Sequence, residues 1–166
     1  MARIALTVFV SLLVVPTVAL AQQARDVSGF LGSWKMDLSR SDTALAADPD
    51  NPLQKAVVDI TKTNAHLHIH TVRNQDETFM RYSLEPISPT ESFETKLGRL
   101  EWNGPVLVTY TPVHINGMAL VVLEKRSLST DSKDMIVETM VTVQHGYEAG
   151  NNYSSPIKDI YTRQSP

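Results

Sequence analysis

Residues 55–84, KAVVDITKTNAHLHIHTVRNQDETFMRYSL, contain three short runs in which apolar and polar side chains alternate. Alternation with a period of two is typical of β-strands that bury one face. The polar stretches 63–64 and 73–76 separate the runs at hairpin length, which indicates antiparallel neighbours. The predicted strands are Lys55–Lys62, Ala65–Val72 and Thr78–Leu84.

The same pattern extends in both directions along the chain. An earlier strand is predicted over Phe30–Leu38, and a loop with one helical turn at Thr43–Ala47 follows it. The later predicted strands are Ser92–Trp102 (bent at Gly98), Val106–Val113, Met118–Leu128, Met135–His145 and Ile157–Arg163. Short strands at this spacing, without a helix of ordinary length, predict an all-β fold, an antiparallel up-and-down β-barrel of about 8–10 strands.

Length and composition favour one folded domain and exclude several classes of protein. The chain has 166 residues, of which 42% are hydrophobic and 20% charged, and this balance excludes a disordered or collagen-like chain. Its net charge is −3, and Lys and Arg form no cluster, so we expect no nucleic-acid partner. The absence of cysteine excludes disulfide bonds.

The first 21 residues have the features of a signal peptide. Arg3 precedes an apolar stretch over Ile4–Val15, and the small residues Ala19 and Ala21 form a cleavage site before Gln22. The apolar stretch is shorter than the roughly 20 residues that span a bilayer. We therefore expect a protein exported to the periplasm or the extracellular space, with residues 22–166 forming a single domain that has no membrane partner after cleavage.

Two short motifs at the ends of the barrel sequence resemble a known superfamily. Gly32-Ser33-Trp34 on the first predicted strand is similar to the Gly-x-Trp signature of lipocalins and fatty-acid-binding proteins, and Tyr161-Thr162-Arg163 is similar to the way those chains end. The whole chain resembles exported bacterial lipocalin-like domains of unassigned function, members of the calycin superfamily. The resemblance implies that the first and last strands pair and that Arg163 packs over Trp34, with Gly32 and Tyr161 beside them.

The chain departs from fatty-acid-binding proteins at two places. The segment between the first two predicted strands, residues 39–54, is too short and too rich in proline for their helix-turn-helix lid. Asp159 lies two residues before Tyr161, where those proteins carry an arginine that binds the ligand carboxylate. The fatty-acid site is therefore not carried over.

His66, His68 and His70 share one face of a predicted strand, opposite Leu67 and Ile69. Three alternatives stay open: the histidines face solvent, line a polar cavity, or hold a metal ion or haem through His66 and His68. A zinc ion would need a further ligand from another strand, and the candidates are Asp59, His114 and His145.

No sequence motif of an enzyme is present. The chain lacks a nucleophile elbow, a His-Glu-x-x-His zinc motif and a phosphate-binding glycine loop, and it has no cysteine nucleophile. Glu124 and Glu138 interrupt apolar strands, so each either points into a cavity or lies on the wet face. We expect no catalytic residues and no cofactor.

The resulting hypothesis is a monomeric binding protein that sequesters or carries a small apolar or amphipathic molecule inside the barrel. The candidate ligand-binding residues are Phe79, Tyr82, Trp102, Tyr110 and Met118. The alternative is a filled barrel that acts as a structural or protein-interaction module. A third hypothesis is an enzyme that uses a metal or haem bound by histidine. About eight strands leave room either for side chains that fill the interior or for one small ligand.

Overall fold

The computed structural model describes residues 26–145, 148–149 and 153–165. A 3₁₀-helix spans Val27–Phe30, and two α-helices follow, α1 (Asp42–Leu45) and α2 (Pro89–Thr95). The strands are β1 (Gly32–Met36), β2 (Ala56–Lys62), β3 (His66–Arg73), β4 (Asp76–Ser83), β5 (Arg99–Asn103), β6 (Val106–Ile115), β7 (Met118–Leu128), β8 (Asp134–His145), β9 (Glu148–Ala149) and β10 (Ile157–Arg163). The predicted signal peptide lies outside the described residues.

The strands form one antiparallel sheet that curls into a nearly closed barrel. Their order is β4-β3-β2-β1-β10-β8-β7-β6-β5, and the short β9 pairs with β8 beside this path. The first strand therefore lies between the second and the last, with Trp34 opposite Arg163. The prediction of an antiparallel up-and-down barrel is confirmed.

The seam of the barrel lies between β4 and β5. These strands meet at one short parallel bridge, where Gly98 N–H donates to the Arg81 carbonyl at 2.8 Å and Ser83 N–H donates to the Gly98 carbonyl at 3.0 Å. Residue 98 must be glycine here, because a Cβ atom would lie 2.3 Å from the ring of Tyr82. Residues 76–80 of β4 pair with β3 on one side, and on the side that faces β5 they have no partner strand among the described residues.

The segment before β5 corrects one prediction. The strand expected from Ser92 begins only at Arg99, because Pro89–Thr95 forms the helix α2. Ser88 caps this helix, since its Oγ accepts a hydrogen bond from Glu91 N–H at 3.1 Å, and proline suits the first helical turn. Lys96 then ends the helix in a left-handed conformation, with φ at 54°.

The contact between β1 and β10 is sealed by Arg163. Its guanidinium carbon lies 4.1 Å from the centre of the fully buried Trp34 ring, and the group donates to the carbonyls of Leu31, at 2.8 Å, and Gly29. The Trp34 indole N–H donates to the Phe30 carbonyl at 2.8 Å. These bonds hold the 3₁₀-helix and both terminal strands together.

The core of the barrel is apolar where β1, β2, β3, β8 and β10 face inward. Its largest fully buried side chains include Trp34, Ile60, Leu67 and Met135, and Tyr161 packs among them from β10. No helix among the described residues is long and apolar enough to cross a membrane.

The contacts of Arg163 predict that a change of this residue lowers the stability of the barrel. Arg163→Lys keeps the charge but removes the planar group that stacks on Trp34 and the fork that reaches two carbonyls. We expect the free energy of unfolding to fall by about 1–3 kcal/mol in urea denaturation. Lys158→Gln changes an exposed cation on the same strand and should have little effect. Equal stability of the Arg163→Lys and Lys158→Gln proteins would contradict this role for Arg163.

Candidate functional site

A cavity of about 300 Å³ lies inside the barrel between β3 and β4 on one side and β6 and β7 on the other. Its apolar walls come from Ile69, Met80, Val113 and Val122. One end is enclosed by buried polar residues, and Arg73, Asp76 and Thr78 form the exposed end. The volume is at the lower limit for pockets that bind small molecules, which are concave and mostly apolar.

An apolar surface continues from the cavity onto the inner face of β6, β7 and β8. Residues directly opposite each other in antiparallel strands share a face, so Ile115 and Met118 lie on the same face as the cavity residues Thr111 and Val122. On β8, Val141 pairs with Val122, and Val143 follows two residues later on that face. Ile115, Met118, Val141 and Val143 are all exposed. We call these four residues the apolar rim.

The enclosed end of the cavity holds a buried ion pair. The guanidinium of Arg126 donates to Glu124 at 2.7 Å through Nη2 and to the Thr109 hydroxyl at 2.7 Å through Nη1. Both residues point inward because they alternate with Lys125 along β7 and lie opposite Leu107 and Thr109 of β6. The Arg126 side chain is only 4% exposed and that of Glu124 20%.

A buried tyrosine completes this polar end. The Tyr82 hydroxyl lies 2.7 Å from the hydroxyl of Thr111 and is fully shielded from solvent. Burial, together with the negative charge of Glu124, raises the pKa of Tyr82 to about 12. Tyr82 is therefore a neutral phenol at physiological pH and can donate or accept a hydrogen bond.

The ion pair keeps Arg126 charged inside the barrel. Burial lowers the pKa of its guanidinium, but the Glu124 carboxylate together with Tyr82 and Tyr161 more than offsets burial, and the net shift is upward. The Nε–H of Arg126 is buried and bonds to no side chain or backbone group in the described residues. A buried donor without a partner is costly, so an acceptor atom on a bound molecule would satisfy it.

Asp159, expected from the sequence to oppose a carboxylate ligand, points instead toward α1. It accepts hydrogen bonds from Thr43 N–H at 3.0 Å and from the Thr43 hydroxyl at 2.7 Å, and Arg73 Nη2 lies 4.0 Å away. Asp159 is 2% exposed and does not line the cavity. Its carboxylate therefore anchors α1 to β10.

The five candidate ligand-binding residues lie in different environments. Tyr82 alone lines the cavity, and Met118 belongs to the apolar rim. Trp102 packs against Phe30 in the core, with ring centres 6.1 Å apart. Tyr110 lies on the outer face beneath Arg99, and Phe79 is 69% exposed because its neighbours Met80 and Thr78 take the inward positions of β4.

The three histidines of β3 lie on the outer face, since Leu67 and Ile69 fill the core. The rings of His66 and His68 are 6.2 Å apart, and His70 stacks on Phe79 at 4.0 Å. Within the part of the chain that the structure describes, no three His, Asp or Glu side chains are close enough to hold a metal ion. The side chain of His145 is outside that part.

The side chains of Glu138 and Glu124 point to opposite faces of the sheet. Glu138 faces outward on β8, opposite Lys125 and Lys158 in the register of the neighbouring strands. Glu124 faces the cavity, as one of the two sequence-based alternatives had it. Arg126 was not among the candidate site residues, although its place two residues after Glu124 on an apolar strand is a signal in the sequence.

Comparison with known proteins adds distant structural matches, and three of them follow. No model of a protein family and no curated protein sequence matches the chain. Lipid binding protein 8 of Caenorhabditis elegans is 8% identical over 84% of this chain and 98% of its own, with a TM-score of 0.49. The fluorescent protein UnaG is 13% identical over 84% and 100%, with a TM-score of 0.48. An abundant heat soluble (SAHS) protein from Ramazzottius varieornatus is 10% identical over 82% and 96%, with a TM-score of 0.45.

These values describe a general similarity in chain path. The assignment of an antiparallel barrel to this chain rests on its own strand order and register.

The raised pKa of Tyr82 has a measurable effect on stability at high pH. Between the ordinary pKa of 10.0 and the native value of about 12, the unfolded chain loses the phenol proton while the folded protein keeps it. Stability therefore falls as the pH rises through this range, by about 2–3 kcal/mol from Tyr82. The unfolding free energy of the Tyr82→Phe protein should fall less over the same range. Parallel pH profiles for the two proteins would contradict the burial of this phenol.

Proposed function

We propose that the protein is an exported, monomeric carrier that sequesters a small apolar or amphipathic molecule inside its barrel. The observation that carries this proposal is the interior cavity, which combines apolar walls with a buried polar end. The apolar walls of this cavity of about 300 Å³, which opens to solvent at one end, lack the packing contacts of a protein interior. A bound molecule would restore those contacts.

Binding accounts for the cavity better than catalysis does. Its titratable groups are engaged with one another, with Arg126 paired to Glu124 and Tyr82 bonded to Thr111. The pKa of Tyr82 is raised, which makes this phenol a poorer proton donor and general base at neutral pH. Fixed hydrogen-bonding groups at one end of an apolar pocket are typical of sites that orient a ligand.

The cavity in the interior counts against the filled-barrel hypothesis, and the outward direction of the histidines counts against the hypothesis of a metal or haem enzyme. A filled barrel that acts only as an interaction module would have side chains in the space that the cavity occupies. A histidine-based metal or haem activity would need groups that converge, whereas His66, His68 and His70 spread along the outer face of β3.

Native mass spectrometry of the protein expressed from the full-length chain tests export and cargo together. Cleavage before Gln22 would remove residues 1–21 from the intact mass, and an organic adduct of one molecule per chain would show a bound ligand. Denaturing extraction would then identify that ligand. An uncleaved chain in the cytoplasm would contradict export, and a stoichiometric metal in place of an organic adduct would contradict the carrier.

A pair of neighbouring substitutions tests the cavity itself. Thr78 lines the cavity and Phe79 points outward, so Thr78→Trp should fill the site while Phe79→Trp leaves it open. We expect Thr78→Trp to weaken binding of decanol by about tenfold or more in a calorimetric titration, because the indole occupies the ligand's volume. The Phe79→Trp protein should bind like the wild type. Equal affinities in the two variants would place the binding site outside the barrel.

A further inference from the structure

The charges inside the cavity balance at its enclosed end. Arg126 is the buried cation there, and Glu124 neutralises it at 2.7 Å. The other polar groups at this end, the hydroxyls of Tyr82, Thr109 and Thr111, are neutral. The site where a ligand head group would lie therefore carries no net charge.

A charged head group would disturb this balance. A carboxylate that bonded Arg126 would lie beside Glu124, and two like charges in a buried site repel each other strongly. Displacing Glu124 from Arg126 would instead leave the mostly buried Glu124 carboxylate without its partner. An ammonium group that bonded Glu124 would be repelled by the positive charge of Arg126. Both kinds of ionic ligand are thus disfavoured at this end of the cavity.

An uncharged polar group suits the bonds that are available. Arg126 lines the cavity and its buried Nε–H makes no hydrogen bond with the described residues, so donation to a ligand oxygen that reaches this atom would leave the Glu124 pair intact. The Tyr82 hydroxyl can either donate or accept, so it can pair with an alcohol or a carbonyl. A hydroxyl, amide or ester group matches this combination.

The orientation of such a ligand follows from the position of the apolar surface. From the polar end, Val113 and Val122 lead along β6 and β7 toward the apolar rim, where Ile115 and Met118 are about half exposed. A hydrocarbon tail that leaves the cavity in this direction would cover apolar surface, and each buried CH₂ would contribute about 0.8 kcal/mol in a fully enclosed site.

Resting on the proposed carrier function, we infer that the cavity selects a single-chain amphipath with an uncharged hydroxyl or carbonyl head group. The head group lies beside Arg126 and Tyr82, and the tail extends toward the apolar rim. The Arg126–Glu124 pair is then the device that discriminates against fatty carboxylates and alkyl ammonium ions.

Three probes of equal chain length test this selection on the full-length protein: decanol, decanoate and decylammonium. At neutral pH we expect decanol to bind about tenfold or more tightly than either ion, since each ion opposes one member of the buried pair. Decanoate should then gain about tenfold or more in Glu124→Gln, where the positive charge of Arg126 is no longer neutralised. Affinities would be measured by calorimetric titration, with circular dichroism to check folding.

Glu138→Gln is the matched control. It removes a carboxylate from the outer face of the neighbouring strand and should leave the ratio of decanol to decanoate affinity unchanged. Because the three probes are first compared on the wild type, the test does not depend on whether Glu124→Gln folds.

The possible results distinguish a failure of the head-group selection from a failure of the proposed carrier function. Preference of the wild type for decanoate or decylammonium would overturn the inference and leave a carrier. No gain for decanoate in folded Glu124→Gln would show that the head group lies elsewhere and would also overturn it. Failure of all three probes to bind would count against both the selection and the carrier itself.

Discussion

The pairing of β1 with β10 is the constraint on which the rest of this structure depends. The strands β2–β4 and the strands β5–β8 belong to one sheet only through this pair, because the five residues of β1 join β2 to β10. Arg163 stacks on Trp34 and bonds two carbonyls near the 3₁₀-helix, so one side chain fixes three segments. The barrel has no disulfide to do this. The cavity between β3, β4, β6 and β7 exists because this junction holds the two halves of the sheet face to face.

The interior combines two regions with opposite requirements. Around Trp34, Leu67 and Met135 the packing is apolar and close. Around Arg126 the barrel holds an ion pair, although a well-packed apolar replacement for such a pair is often equally stable or more so. The hydrogen bonds from Arg126 to Glu124 and Thr109 offset part of the free energy that burial of this charge costs. Under the proposed function, the paired charge beside the cavity contributes to recognition of the ligand.

The alternating patterns predicted the strands well, because a half-buried strand needs a period of two whatever its neighbours are. They failed at residues 92–95, where the weak apolar pattern around Ser92 predicts a strand although Ser88 and Pro89 supply the start of a helix. The patterns also could not show which face of β7 points into the barrel. Its apolar residues alternate on both faces, so the direction of Glu124 and Arg126 depends on how β6 and β8 pair with it.

The site was harder to predict than the fold for a related reason. Large aromatic residues are the usual choice for a ligand pocket, yet Phe79 lies outside and Trp102 lies in the core. Which aromatic residue reaches the interior is decided by register, and Tyr82 does so because Gly98 leaves room for its ring. A missing Cβ on another strand is not visible in the local pattern around residue 82.

The placement of the last strand beside the first has a consequence for how the chain folds during synthesis. A ribosome releases β1 early, but its partner β10 is the last strand to be made. Long-range pairing of this kind slows folding, because the entropy of closing a loop that includes nearly the whole chain must be overcome first. Until then β1 has a free edge, and the nascent barrel stays open.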